Sequence, residues 1–193
     1  MSTISSVSPR TLADAIPGGL VRNIALVVGG AGFVGVTAQL AVPLPFTPVL
    51  LTMQTFSVLL TVAALGSTRG LLSMAVYMLA GMAGVPWFTQ HQSGWSFPSF
   101  GYVVGFLLAA VVVGKLAEKG ADRTPLRAVG LLVLGNLAIY AVGVPGLMLA
   151  TGMSLPMALA LGVAPFLIGD AIKIVLAAAL LPATWKLVNA FRG

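Results

Sequence analysis

The chain has no cysteine among its 193 residues. That excludes disulfides, thiolate metal sites and cysteine nucleophiles. Acid is nearly as scarce, with four Asp and Glu against ten Lys and Arg, one histidine and a net charge of +6. Charged residues make up 7% of the chain, where soluble domains carry roughly 25%. With charge this rare and a mean hydropathy of +1.06, a soluble globular domain is excluded. The chain reads as one that buries itself in lipid. Its cations do not form a nucleic-acid footprint, because Lys115, Lys119, Arg123 and Arg127 share one short segment and the others flank apolar runs. That is the pattern of topology signals, and no nucleic acid is expected as a partner. Catalytic patterns are missing too: there is no paired-carboxylate arrangement, HExxH, GxSxG or GxxxxGK[ST]. The chain is therefore expected not to be an enzyme, and ATP hydrolysis, if it drives transport, belongs to another polypeptide. His91 lies in a loop without nearby acids, so no metal is expected.

What the chain does have is six apolar runs, Asn23–Val42, Thr47–Leu65, Gly70–Val85, Phe100–Val113, Ala128–Leu149 and about Pro165–Thr184. They predict an all-α integral membrane protein with six transmembrane helices. Residues 1–19 are rich in Ser, Pro and Gly and form a polar N-terminal segment with an interfacial turn at Thr11–Ile16; residues 20–193 form one membrane domain. The first run is too long for a signal-peptide core and is read as a span. The basic segment Lys115–Arg127 is expected as a solvated turn, Met157–Leu161 as a short re-entrant turn, and Trp185, Lys186 and Arg192 as interfacial anchors.

The loops test that count. Arg10 and Arg22, Arg69, the four basic residues of 115–127, and Lys186 with Arg192 all fall on one side. The three loops opposite, Pro43–Phe46, Pro86–Ser99 and Ala150–Leu161, contain no Lys or Arg. By the positive-inside rule both termini are cytoplasmic. The outer loops are longer, uncharged and rich in aromatics and proline. Irregular backbone at membrane depth is tolerated where it lines a cavity, so these loops are expected to cover an outward-facing pocket.

Inside the sixth run lie Asp170 and Lys173, three apart and on one helix face. Each costs about 2.5–3.5 kcal/mol at the centre of a membrane helix. Either they form a structural ion pair, or they are the polar end of a ligand site. Other polar candidates are Gln54 with Thr52, Tyr102, and Asn136 with Tyr140. Each is read as ligand contact or as helix packing, and Trp87, Phe88, Trp95 and Phe97 as pocket walls or interfacial aromatics. On the first span Ala25/Gly29 and Ala31/Gly35 are small-xxx-small pairs, serving helix packing within the fold or docking of a partner membrane protein.

PLPFTPVLLTMQTF, YMLAGMAGVPWF, FGYVVGF and above all GVAPFLIGDAIKIVLAAALLP resemble the BioY family, the biotin-specific S components of energy-coupling-factor transporters. The resemblance runs from about Asn23 to Pro182, and its most specific piece is Pro165, Phe166, Gly169, Asp170 and Lys173. It implies the S-component fold and high-affinity capture of biotin in an outward-facing pocket. It also implies a bacterial cytoplasmic membrane location and docking to a transmembrane coupling subunit with paired cytoplasmic ATPases. The ligand would be biotin, with no cofactor. Asp170 and Lys173 would belong to the biotin site, joined by Gln54, Tyr102, Asn136, Tyr140, Phe166 and Trp87. Ala25, Gly29, Ala31 and Gly35 would meet the coupling subunit. An S component for another vitamin, or a solitary secondary transporter using Asp170 and Lys173 as an ion relay, are the alternatives.

Overall fold

The computed structural model describes residues 9–191; the first eight residues of the expected polar segment, and Arg192, lie outside the described residues. Helices dominate: α1 (Leu20–Ala38), α2 (Gln54–Met82), α3 (Phe100–Glu118), α4 (Pro125–Thr151), α5 (Leu155–Gly162) and α6 (Leu167–Ala190). Five segments are long and apolar enough to cross a membrane, Leu20–Ala38, Gln54–Met82, Phe100–Glu118, Pro125–Thr151 and Leu155–Ala190.

The second of these folds back on itself. Gly66 has φ 83° and ψ −179°, a region essentially closed to residues with a side chain. Beyond it, a Cβ on Gly70 would lie 3.1 Å from the Cα of Val62. Gln54 Nε2 donates to the Tyr77 hydroxyl at 2.6 Å. On one straight helix those two residues would stand about 35 Å apart. α2 is thus a pair of antiparallel arms, residues 54–65 and 67–82, as Gly66 and Arg69 had marked in the sequence.

Several boundaries differ from expectation. The first helix stops at Ala38, and the second starts at Gln54 instead of near Thr47. Ala41–Val42 pairs antiparallel with Leu51–Thr52, and Pro43, Pro45 and Pro48 keep the intervening chain out of a helix. A small two-stranded sheet therefore sits in a chain expected to be all-α. α3 continues past Val113 to Glu118, and α4 begins at Pro125, a residue suited to a first turn. Only residues 119–124 remain as the turn. The expected re-entrant turn is the helix α5, and Pro165 belongs to a 3-10 turn, Ala164–Phe166, just ahead of α6.

Small residues set the helix spacing. A Cβ on Gly101 would come within 2.7 Å of the Cα of Gly146, and one on Gly105 within 2.7 Å of the Ile139 carbonyl oxygen, so α3 and α4 touch backbone to backbone. Outward faces are apolar: Val21, Ile24, Val28 and Val36 on α1, and Ile168, Ile172 and Val175 on α6, are all exposed. They suit lipid.

Side-chain bonds gather the loops at two opposite ends. At one end Arg69 Nη2 donates to Asp14 Oδ1 at 2.7 Å, and the Ser67 amide to Glu118 Oε1 at 2.7 Å. Arg123 Nη2 donates to the Pro9 carbonyl at 3.0 Å, and Trp185 Nε1 to Asp122 Oδ2 at 2.6 Å. The N-terminal 3-10 turn Leu12–Ala15 is thereby tied to the Gly66 turn, with its own capping box between Thr11 and Asp14. Burial alone would push the Asp14 carboxyl up, yet the bonds from Arg69 and Thr11 outweigh it and hold it below the usual carboxylate range. Asp122 is fully buried; desolvation pushes its carboxyl up, against the opposing pull of the Trp185 indole. At the other end Gln39 Nε2 donates to the carbonyls of Trp87 at 3.1 Å and Phe88 at 3.0 Å. Thr47 Oγ1 donates to the Leu161 carbonyl at 2.7 Å.

Candidate functional site

At the uncharged end the helices part around a cavity with about 640 Å³ of atom-free space, its open mouth included. Its floor is built where three helix starts and one helix middle converge. Asp170 and Lys173 come from the first two turns of α6, Gln54 and Thr55 from the first turn of α2, Tyr102 and Phe106 from α3, and Tyr140 from mid-α4. The 41–52 hairpin supplies Val49, Leu50 and Thr52, and the loop after α2 supplies Phe88, Thr89, Phe97 and Ser99. The prolines that keep these stretches irregular are what leave room for a cavity.

The charged pair anchors the floor. Lys173 Nζ donates to Asp170 Oδ1 at 3.1 Å and to Thr55 Oγ1 at 3.0 Å. The Tyr140 hydroxyl donates to Asp170 Oδ2. Asp170 and Lys173 are 5% and 8% exposed, so the pair is nearly removed from solvent while both residues line the cavity. A carboxylate held this way retains free lone pairs. Lys173 has a third N–H. Together they offer an acceptor and a donor side by side to a neutral hydrogen-bonding ring.

Above the floor the walls are aromatic and aliphatic. Tyr102 and Tyr140 stack edge to face, 6.2 Å between centroids, and Phe88 meets Phe97 at 5.4 Å. The Tyr102 hydroxyl donates to the Gly162 carbonyl at 2.9 Å, which pins α5 against α3. Apart from the charged pair the polar groups are neutral: Thr52, Gln54, Thr89, Ser99 and the tyrosine hydroxyls.

Six of the eight expected ligand residues share this wall: Asp170, Lys173, Gln54, Tyr102, Tyr140 and Phe166. Two do not. Trp87 turns its indole away, donating Nε1 to the Tyr77 carbonyl at 2.9 Å and packing on Gly35, whose Cβ position is 3.2 Å from the ring. Asn136 lies a turn below the floor, on a small separate hollow beside Thr55, Leu132 and Lys173. The four small residues of α1 also divide. Ala25 and Gly29 face outward, whereas Ala31 and Gly35 are buried against the rest of the bundle. Residues four apart share a helix face, but Ala25 and Ala31 are six apart and point different ways. Thr55, Thr89 and Ser99 belong to the wall without having been expected. A hydroxyl in an apolar run carries little signal, and only the neighbourhood of Gln54 pointed towards Thr55.

The comparisons with known proteins agree with this geometry. A profile described as the BioY family matches residues 5–190. A protein named biotin transporter BioY from Thermotoga maritima is 38% identical over 140 residues, covering 71% of this chain and 81% of that protein. A probable biotin transporter BioY from Lysinibacillus sphaericus is 34% identical over 138 residues, covering 70% of this chain and 69% of the relative. Among solved structures, the S-component for biotin from an ECF-type ABC transporter superposes with a TM-score of 0.77 at 21% identity, over 86% of this chain and 92% of the other. That likeness shows a shared fold.

Proposed function

The chain belongs to the BioY family, and on that footing we propose that it is the biotin-capture subunit of an energy-coupling-factor transporter. The observation that carries the reading is the Asp170–Lys173 pair, 3.1 Å apart and lining an otherwise uncharged cavity. Biotin has a ureido ring with two N–H donors and one carbonyl, an apolar thioether bicycle and a carboxylate tail. Asp170 accepts from a ureido N–H. Lys173 donates to the ureido oxygen. The bicycle lies among Tyr102, Phe106, Tyr140 and Phe166, which supply the apolar wall such a ligand needs.

The chain sits in a bacterial cytoplasmic membrane. Counting the arms of α2 separately gives six crossings, and the basic loops then lie at the cytoplasmic end with both termini. The sharp turn at Gly66 and the cluster of Arg69, Lys115, Lys119 and Arg127 at one end support that orientation. Transport energy comes from partners, a transmembrane coupling subunit and cytoplasmic ATPases. The exposed Ala25 and Gly29 on α1 offer such a partner a close approach. Native mass spectrometry of the chain purified from biotin-containing medium tests the reading. One bound molecule of biotin's mass is expected, and a chain that stays empty when biotin is added in excess contradicts it.

A further inference from the structure

The cavity wall carries one anion and one cation, Asp170 and Lys173, and among the described residues no second cation lines it. The stretches that roof it, residues 39–53, 83–99 and 152–166, contain no Lys or Arg. An anionic ligand therefore brings a charge that the site does not neutralise. If its carboxylate took Lys173, two carboxylates would share one ammonium at positions 5% and 8% exposed, where like charges repel and desolvation is costly. A ureido ring makes the same bonds to Asp170 and Lys173 without adding charge. The carboxylate is left to the neutral hydroxyls of the wall, Thr52, Thr89 and Ser99, and to the water at the mouth. Thr52 Oγ1 accepts from the Gln54 amide and Thr89 Oγ1 donates to Gln54 Oε1, yet each hydroxyl keeps a further donor or acceptor position. They serve an amide or an ester as readily as a carboxylate.

We infer that this site reads the ring and is indifferent to the charge of the tail, so that its ligand class includes biotin joined through its carboxyl to an amine or an alcohol. The inference rests on the biotin reading above and deepens it. The source of such ligands would be any reaction that cleaves biotinylated protein without hydrolysing the amide to biotin.

Isothermal titration of the 193-residue chain in detergent, with biotin, biotinamide and biotin methyl ester, tests it. The amide and the ester are expected to bind within about tenfold of biotin, a difference of about 1.4 kcal/mol. Biotin binding is expected to change less than about threefold between low and high salt, because no exposed ion pair is screened. If biotin binds and both neutral derivatives bind more than about tenfold weaker, the inference is overturned and the biotin reading stands. If none of the three binds, both fall. Ser99→Lys, which sets a cation on the cavity wall away from the Asp170–Lys173 pair, is expected to favour the acid over the amide by about tenfold. An unchanged ratio places the carboxyl elsewhere and overturns the inference.

Discussion

Lys173 Nζ lies 3.1 Å from Asp170 Oδ1, one turn further along α6, and Thr55 from the start of α2 closes a triangle with them, 3.0 Å from the ammonium and 3.4 Å from the carboxylate oxygen. The pair is a structural joint between α2 and α6, and on the proposed reading it is also the ligand platform. The two roles have different signatures.

Removing one partner leaves an uncompensated buried charge, which costs about 3–5 kcal/mol, whereas removing both is far milder. Lys173→Met is therefore expected to lower the thermal unfolding temperature more than the double variant Asp170→Asn with Lys173→Met. Melting curves followed by intrinsic tryptophan fluorescence decide this. A double variant less stable than the single one would show that the two side chains do not depend on each other.

Gly66 makes the turn between the arms of α2. A Cβ there would meet Glu118 Oε1 at 2.8 Å and Thr11 Cγ2 at 2.9 Å, at a φ of +83°. Backbone strain of this kind costs about 1–3 kcal/mol, so Gly66→Ala is expected to lower stability by that order. Gly84, also at positive φ but with no atom within 4 Å of its Cβ position, serves as the control and should lose less on substitution by Ala. Equal losses at both sites would mean that the crowding around Gly66 relaxes.

Asp122 gives the chain a stability that depends on pH. Its carboxyl is raised by burial, so between the ordinary and the raised value the folded state binds more protons at this residue than the unfolded chain does. Stability from this residue is then fully present below the ordinary carboxylate range and falls as pH rises through the raised folded value. Asp14 is held low and acts with the opposite sign, losing its contribution as pH falls. It is the same in both proteins when wild type is compared with Asp122→Asn, an amide whose oxygen still accepts from Trp185. The wild type is expected to lose stability relative to the variant as pH rises across that window. Parallel unfolding temperatures from pH 4 to 8 would contradict a raised Asp122.

Much of the candidate cavity wall was legible because charge inside an apolar run is so costly that Asp170 and Lys173 mark themselves. Gln54, Tyr102, Tyr140 and Phe166 followed, since polar or aromatic groups at the outer helix ends face the same space. Trp87 and Asn136 lie off the cavity wall for a rotational reason. An aromatic after Pro86 has an interior to choose, and Trp87 chose Tyr77 and Gly35. Asn136 sits one turn from Tyr140 on α4, and that turn is enough to drop it below the floor. The 41–52 hairpin was hidden because its apolar residues read the same in a strand as in a helix. Only Pro43, Pro45 and Pro48 hinted that no helix passes there.

The most direct measurement is calorimetric titration of biotin into the wild-type chain and into Asp170→Asn. Loss of a charge-assisted bond costs about 1–3 kcal/mol, so the account predicts one site per chain in the wild type and an affinity lower by about fivefold to 150-fold in the variant. Equal affinity in the two proteins would take the carboxylate out of the binding site and contradict the account.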